Sequence, residues 1–157
     1  MYIISAIICI VLIVADQASK YAALTHLKPV ETITIIQNIF SFTFVENRGA
    51  AFGMFQGARI GFLVVTPLIL AAIVYYFIKL PYGRVYVFVR AALILVTAGA
   101  VGNFIDRLFR GYVIDFLHAT FINFPVFNLA DIFVVAGTGL LAVLIIFYIH
   151  DDPEIVK

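Results

Sequence analysis

The chain has few charged residues and a single cysteine, and both features limit the classes of protein to which it can belong. Of its 157 residues, 12% are charged and 64% are hydrophobic, and the mean hydropathy is +1.13. In a soluble domain roughly a quarter of the residues are charged, so this composition predicts an integral membrane protein. Cys9 cannot form a disulfide within the chain, and in its run of Ile and Val it is expected to be a small buried apolar residue.

An excess of charge of one sign is also missing. The chain contains ten Lys and Arg and nine Asp and Glu, which gives a net charge of +1. The basic residues are scattered along the chain. Nucleic-acid binding needs a basic patch, so no nucleic-acid partner is expected. The Gly-x-Ser-x-Gly elbow, the P-loop and the dinucleotide-binding fingerprint are absent as well. These absences argue against several common enzyme classes.

Metal chemistry has little support in the sequence. The three histidines, at positions 26, 118 and 150, lie too far apart for a His-x-x-x-His zinc pair. One alternative stays open, in which His118 joins Asp106, Asp115 and Asp131 around a metal ion.

Four long apolar runs predict four transmembrane helices, because a span needs about 20 residues. They cover residues 2–24, 60–79, 85–104 and 132–149 approximately. The first run lacks a basic n-region and an Ala-x-Ala-like site, so it is interpreted as a retained helix. Residues 30–55 contain two stretches that alternate with period two, which predicts a small β-sheet at the membrane surface, where strand edges meet water. The expected fold is therefore an all-α membrane protein with a small sheet, in one domain over residues 1–157.

Most polar residues collect between Gly99 and Asp131, in an otherwise apolar chain. Asn103, Asp106, Arg107 and Arg110 fall at i, i+3, i+4 and i+7, so they share one face if the third helix continues. They either form one network, or Asp106 and Arg107 only pair with each other at the helix end. Further along, the sequence indicates that Asn128 caps the fourth helix and that Asp131 lies in its first turn.

Asp16 and Lys20 stand near the end of the first span, spaced i and i+4 with the acid first. This order favours an ion pair on one side of the helix. The pair either faces a cavity or a partner inside the protein, or it reaches out to the membrane interface.

Asp115 and Asp131 each stand at a boundary between a polar loop and a membrane helix. Such a pair suits hydrolysis by general acid–base catalysis, in which an ionised carboxylate takes a proton from water while a protonated one donates to the carbonyl oxygen. A small proton-coupled carrier that uses the same acids as a relay is the alternative. A presenilin-type protease lacks support, because the Gly-x-Gly-Asp signature is absent.

Five runs of the sequence match one family in order. They are Asp16-Gln-Ala-Ser-Lys20, Glu46-Asn-Arg-Gly-Ala-Ala-Phe-Gly53, Gly99-Ala-Val-Gly-Asn-Phe-Ile-Asp-Arg107, Val113-Ile-Asp-Phe116 and Phe127-Asn-Leu-Ala-Asp131. Through them the chain resembles the bacterial lipoprotein signal peptidases, or type II (prolipoprotein) signal peptidases, over nearly its whole length. Each run alone is weak evidence, whereas all five on a four-span chain are specific.

This resemblance implies an aspartic endopeptidase of the bacterial plasma membrane. It would remove the signal peptide from prolipoproteins that carry diacylglycerol, cutting just before the lipidated cysteine, with no metal or cofactor. Asp115 and Asp131 look like the catalytic dyad. The residues that would support the dyad or touch substrate are Asp16, Lys20, Asn47, Gly49, Asn103, Asp106, Arg107, Asn128 and Ala130.

The resemblance also implies an orientation and partners. The termini would be cytoplasmic and the active site and sheet extracytoplasmic, with a short surface helix within about 53–60. The Lys and Arg count alone favours the reverse orientation, but several of those residues lie beside acids in the polar stretch. Expected partners are diacylglyceryl-prolipoprotein substrates, membrane lipids and globomycin-type peptide antibiotics as inhibitors, and the chain is expected to be a monomer. The almost absent N-terminal segment and the acidic Asp151-Asp152 pair depart from the family pattern.

Overall fold

The computed structural model describes residues 2–49, 59–122 and 124–149, which form four apolar helices and one three-stranded sheet. The helices are α1 (Tyr2–Ala22), α2 (Arg59–Lys79), α3 (Arg84–Phe109) and α4 (Leu129–Leu144). The strands are β1 (Thr32–Ile36), β2 (Phe40–Asn47) and β3 (Val113–Ala119). A π-helical turn extends α1 through Ala23–Leu27, and another extends α4 through Ile145–Ile149. All four helices are long and apolar enough to cross a membrane, which confirms the expected fold class.

Helix α3 continues past the predicted end of its span at Phe104 to Phe109. Asn103, Asp106 and Arg107 therefore stand on regular helix. The helix ends where the N–H groups of Arg110 and Gly111 both donate to the Asp106 carbonyl, at 2.8 and 3.2 Å. Gly111 has a φ of 83°, a left-handed conformation that glycine adopts without a steric penalty and that commonly ends helices.

Helices α3 and α4 pack closely, and glycine makes this approach possible. A Cβ on Gly99 would collide with the Ala130 carbonyl and with Val134. A Cβ on Gly137 would lie 2.7 Å from the Ala92 carbonyl. Small residues at these positions let two membrane helices bring their backbones together. This close contact places the start of α4 against the last turns of α3.

Helix α2 is peripheral, since none of its residues is buried in the protein. Near the start of α1 it adds Phe77 to a cluster built around Tyr86, Val89 and Leu93 of α3. Cys9 is half-buried rather than fully buried, so the expectation for this residue was only partly right.

The sheet is antiparallel in the order β1-β2-β3, with β2 in the centre. Its two N-terminal strands coincide with the stretches of period-two alternation. A buried cluster of Ala23, Leu27, Ile114 and Phe116 ties the sheet to the end of α1. This contact holds β3, and with it Asp115, above the helices. Residues 50–55 of the predicted β-region, the greater part of the predicted surface helix, and the acidic tail lie outside the described residues.

Candidate active site

Polar side chains from α1, α3, α4 and the sheet converge where the sheet meets the helices. All the residues proposed from the sequence are within this group: Asp16, Lys20, Asn47, Gly49, Asn103, Asp106, Arg107, Asp115, Asn128, Ala130 and Asp131.

Lys20 lies at the centre of the helical part of this network. Its ammonium nitrogen is 3.0 Å from Asp16 Oδ2, 3.0 Å from Asp106 Oδ2 and 2.9 Å from Asn103 Oδ1. An ammonium has three donors, so each finds an acceptor. The side chains of Lys20, Asp16 and Asp106 are completely buried, where charges persist only if paired. The predicted Asp16–Lys20 ion pair is confirmed, and the alternative in which the pair reaches the membrane interface is wrong.

Asp16 connects α1 to the beginning of α4. Its Oδ1 accepts a hydrogen bond of 3.0 Å from the backbone N–H of Ala130. Its Oδ2 lies too close to the position of a Cβ on Gly102 for both atoms to fit, so the carboxylate is accommodated because α3 carries glycine there. Gln17, which the sequence analysis did not select, adds donations to Asp16 Oδ2 and to the Gly102 carbonyl, both at 3.1 Å.

Asp106 has two cationic partners, and neither is Arg107. Its Oδ2 pairs with Lys20 and accepts a 3.2 Å bond from the Ile114 N–H, while its Oδ1 pairs with Arg110, one turn further along α3. The suggested Asp106–Arg107 pair is therefore wrong. Adjacent residues on a helix point in different directions, whereas residues at i and i+4 share a face.

Arg107 instead points toward the sheet and α2. Its guanidinium donates to the Gly49 carbonyl at 3.1 Å and to the Asn103 carbonyl at 3.4 Å, and its Cζ lies 4.3 Å from the ring centroid of Phe62. Gly49 is held in turn by its N–H, which donates to Asn47 Oδ1 at 3.0 Å.

Asp115 is 2% exposed on β3 and is held by two side-chain amides. Asn47 Nδ2 donates to its Oδ2 at 2.8 Å, and Asn128 Nδ2 donates to its Oδ1 at 2.6 Å. Burial is the main cause that raises the pKa of Asp115 to about 7, and the negative charge of Asp131 adds to it, although the two amide bonds favour the ionised form. This carboxyl therefore keeps its proton to a higher pH than an ordinary aspartate does.

Asp131 stands in the first turn of α4, as predicted, and Asn128 caps the helix. Asn128 Oδ1 accepts from the Asp131 N–H at 3.0 Å, and Asp131 Oδ2 accepts from the Asn128 N–H at 3.1 Å, which makes a reciprocal capping box. Asp131 Oδ1 also accepts from Asn103 Nδ2 at 2.8 Å. Because Asn128 Nδ2 lies 3.2 Å from Asn103 Oδ1, the two amides link both aspartates into one network.

Both carboxylates line one cavity of about 610 Å³. Its polar lining is completed by Asn47, Asn103 and Arg107. The rest is apolar and comes from the loop before α4 and the first turns of α4: Phe124, Pro125, Val126, Phe127, Ile132, Val134, Val135 and Ala136, with Val113 of β3. An apolar cavity with a few converging polar groups is typical of a ligand or substrate site.

His118 does not join this site. Its Nδ1 lies 3.4 Å from Thr43 Oγ1 on the sheet. In the part of the chain that the structure describes, no three His, Cys, Asp or Glu side chains are grouped as a metal site requires. The alternative of a metal held by His118 with Asp106, Asp115 and Asp131 is therefore wrong.

Together these features define a class, a four-helix membrane protein with two carboxylates on one partly apolar cavity. Residues 8–147 match the family model described as Signal peptidase (SPase) II. The chain is 44% identical to the lipoprotein signal peptidase of Clostridium novyi over 85% of this chain and 91% of that protein. It is 46% identical to that of Clostridium acetobutylicum, with 90% and 92% covered. The chain belongs to the signal peptidase II family, an aspartic peptidase family.

Solved structures agree with this assignment. A bacterial membrane enzyme determined at 2.3 Å superposes with a TM-score of 0.83 at 35% identity, covering 90% of this chain and 87% of the other. A second, at 1.9 Å, gives a TM-score of 0.81 at 34% identity, with 92% and 93% covered. The prediction of a membrane peptidase is confirmed, and the alternative of a proton-coupled carrier is not supported.

Proposed function

We propose that the protein cleaves the signal peptide from prolipoproteins that carry diacylglycerol, just before the lipidated cysteine, and that Asp115 and Asp131 are its catalytic residues. The observation that carries the assignment of the dyad is that both carboxylates line the same cavity. Each is also fixed by two hydrogen bonds, which hold a catalytic group in one orientation.

The two aspartates take different roles because their surroundings differ. A pKa of about 7 supports Asp115 as the protonated partner. We assign the role of the ionised partner to Asp131, which stands in the first turn of α4, a favourable place for a negative charge. Asp131 takes a proton from water as the water oxygen bonds to the scissile carbonyl carbon, and Asp115 gives its proton to the carbonyl oxygen. When the C–N bond breaks, the departing amine takes the proton from Asp131, and Asp115 recovers its own.

The charges around the dyad support this single-proton state. Asp16 and Asp106 are balanced by Lys20 and Arg110, so this inner group is neutral. Arg107 also lines the cavity and lies within electrostatic range of Asp115 and Asp131. One positive guanidinium balances one negative charge, so a dyad holding one proton leaves the site neutral. An uncompensated charge away from water is costly, so the neutral arrangement is favoured over one with an excess charge.

The cavity lining supports a lipid-modified substrate. Val134, Val135 and Ala136 continue the cavity along α4, which is long and apolar enough to cross the membrane. A signal helix in the bilayer and an acyl chain beside it would meet such a wall without leaving an apolar environment. We further propose that the termini are cytoplasmic, that the site faces outward, that one chain is sufficient, and that globomycin-type peptides compete for this cavity.

The test is cleavage of a prolipoprotein peptide, with and without diacylglycerol on its cysteine, by purified protein in lipid. Wild type should cut only the lipidated peptide, and Asp115→Asn and Asp131→Asn should not cut it. Circular dichroism and thermal unfolding verify that each variant is folded. Undiminished turnover by either variant removes that residue from the dyad, and cleavage of the unlipidated peptide at an equal rate removes the lipid requirement.

A further inference from the structure

The first turn of α2 reaches the backbone of α3 next to the cavity. Arg59 Nε donates to the Arg107 carbonyl at 2.8 Å, and Arg59 Nη2 donates to the Leu108 carbonyl at 3.0 Å. These carbonyls belong to the last turn of α3, where the helix itself supplies no partner. Arg59 therefore fixes the backbone that carries Arg107.

The same turn of α2 also contacts the side chain of Arg107. Phe62 follows Arg59 at i+3, so the two residues share one face of α2. Its ring centroid lies 4.3 Å from Arg107 Cζ, a distance at which a guanidinium is attracted to the face of an aromatic ring. Arg107 is thus held at its carbonyl by Arg59 and at its guanidinium by Phe62.

These contacts are notable because α2 is otherwise peripheral. It has no buried residue, and its residues do not line the cavity as far as the structure describes them. Arg107, in contrast, lines the cavity with both aspartates. Helix α2 therefore contacts the site through one residue, Arg107.

We infer that Arg59 and Phe62 are positioning residues for the cleavage reaction, because Arg59 fixes the backbone of Arg107 and Phe62 contacts its guanidinium at the cavity wall. This inference rests on the proposed function. A positive charge that lines the same cavity as the dyad stabilises charge that moves during proton transfer only if its position is preorganised. Without Arg59 or Phe62, the guanidinium keeps its charge and its bonds to the Gly49 and Asn103 carbonyls, but its position is less fixed. The chemical step then slows while substrate binding does not change.

The experiment compares Arg59→Gln and Phe62→Leu with two matched controls. Arg84→Gln and Phe77→Leu make the same substitutions at the opposite end of the α2–α3 hairpin. We expect kcat to fall roughly 10- to 100-fold in the first two variants, the range for a misplaced group, with KM changed by less than about twofold. The controls should keep the wild-type kcat. Phe62→Tyr should retain most of the activity, because it keeps an aromatic ring against the Arg107 guanidinium.

A double-mutant cycle with Arg107→Lys tests whether the two residues act through Arg107. Once Arg107 is replaced, Arg59→Gln should have little further effect on kcat. Additive losses, a wild-type kcat in Arg59→Gln and Phe62→Leu, or equal losses in the two controls overturn the inference. If wild type cleaves and Asp115→Asn does not, the proposed function stands whatever these variants do, so failure of the two proposals can be told apart.

Discussion

Asn128 Nδ2 lies 2.6 Å from Asp115 Oδ1, while the oxygen of the same amide accepts from the Asp131 N–H at 3.0 Å. One side chain therefore caps α4 and orients a carboxylate on β3. Folding of the helix end and assembly of the site depend on the same residue.

Replacing Asn128 by serine should separate its two roles. Serine caps helices about as well as asparagine, so the free energy of unfolding should change by less than about 1 kcal/mol from the cap itself. Serine has no amide to reach Asp115, so kcat should fall at least about tenfold. Asn128→Ala should lose both the cap and the activity. Thermal unfolding and peptide cleavage measure the two effects, and a fully active Asn128→Ser variant contradicts the orienting role.

The pH dependence of cleavage should report the protonation of Asp115. Its pKa is raised to about 7 in the free protein, and the proposed reaction needs its proton, so kcat/KM should decrease as pH rises above about 7. The bond from Asn47 favours the ionised form. Asn47→Ala therefore raises the pKa of Asp115 further and should move this alkaline limb to higher pH. If the alkaline limb of the pH–rate profile of Asn47→Ala stays in place or moves to lower pH, the assignment of Asp115 as the acid is contradicted.

The same raised pKa predicts a change in stability. Ionised Asp115 is disfavoured in the folded state, so its contribution is fully present below the pKa of the unfolded chain, near 4, and is lost as pH rises toward 7. Asp115→Asn should be less sensitive to pH over this window. Thermal unfolding between pH 4 and pH 8 makes the comparison, and parallel curves for the two proteins contradict it.

Local rules predicted those parts of the site that lie close together in the sequence. The i, i+4 spacing of Asp16 and Lys20 and the position of Asn128 before an apolar run were sufficient to predict an ion pair and a helix cap. The same spacing rule applied to Asp106 selects Arg110, which the structure confirms, whereas adjacency suggested Arg107. The contacts of Lys20 with Asn103 and of Arg59 with Arg107 join different helices, so no spacing within the chain encodes them.

Lys20 should contribute strongly to stability because it is buried between two acids. In Lys20→Met, the buried Asp106 keeps its ion pair with Arg110, but the buried Asp16 loses its cationic partner. Removing one member of a buried ion pair costs about 3–5 kcal/mol. Lys28→Met is the matched control, since the Lys28 side chain is 48% exposed and pairs with Glu46 at the surface. The control should unfold at nearly the wild-type temperature. Equal unfolding temperatures for both variants contradict a buried charge network.

Gly102 should be intolerant even of alanine, because a Cβ there would meet the carboxylate of Asp16. The added methyl group has to displace Asp16 from Lys20 and from the Ala130 N–H, and overpacking of this kind typically costs about 1–3 kcal/mol. Gly102→Ala should therefore unfold at a lower temperature and cleave more slowly. Gly139→Ala is the matched control, because nothing lies within 4 Å of its added Cβ and alanine favours helix over glycine. Gly139→Ala should be as stable as wild type or more so, and a Gly102→Ala variant that behaves like it contradicts the close fit of Asp16 against α3.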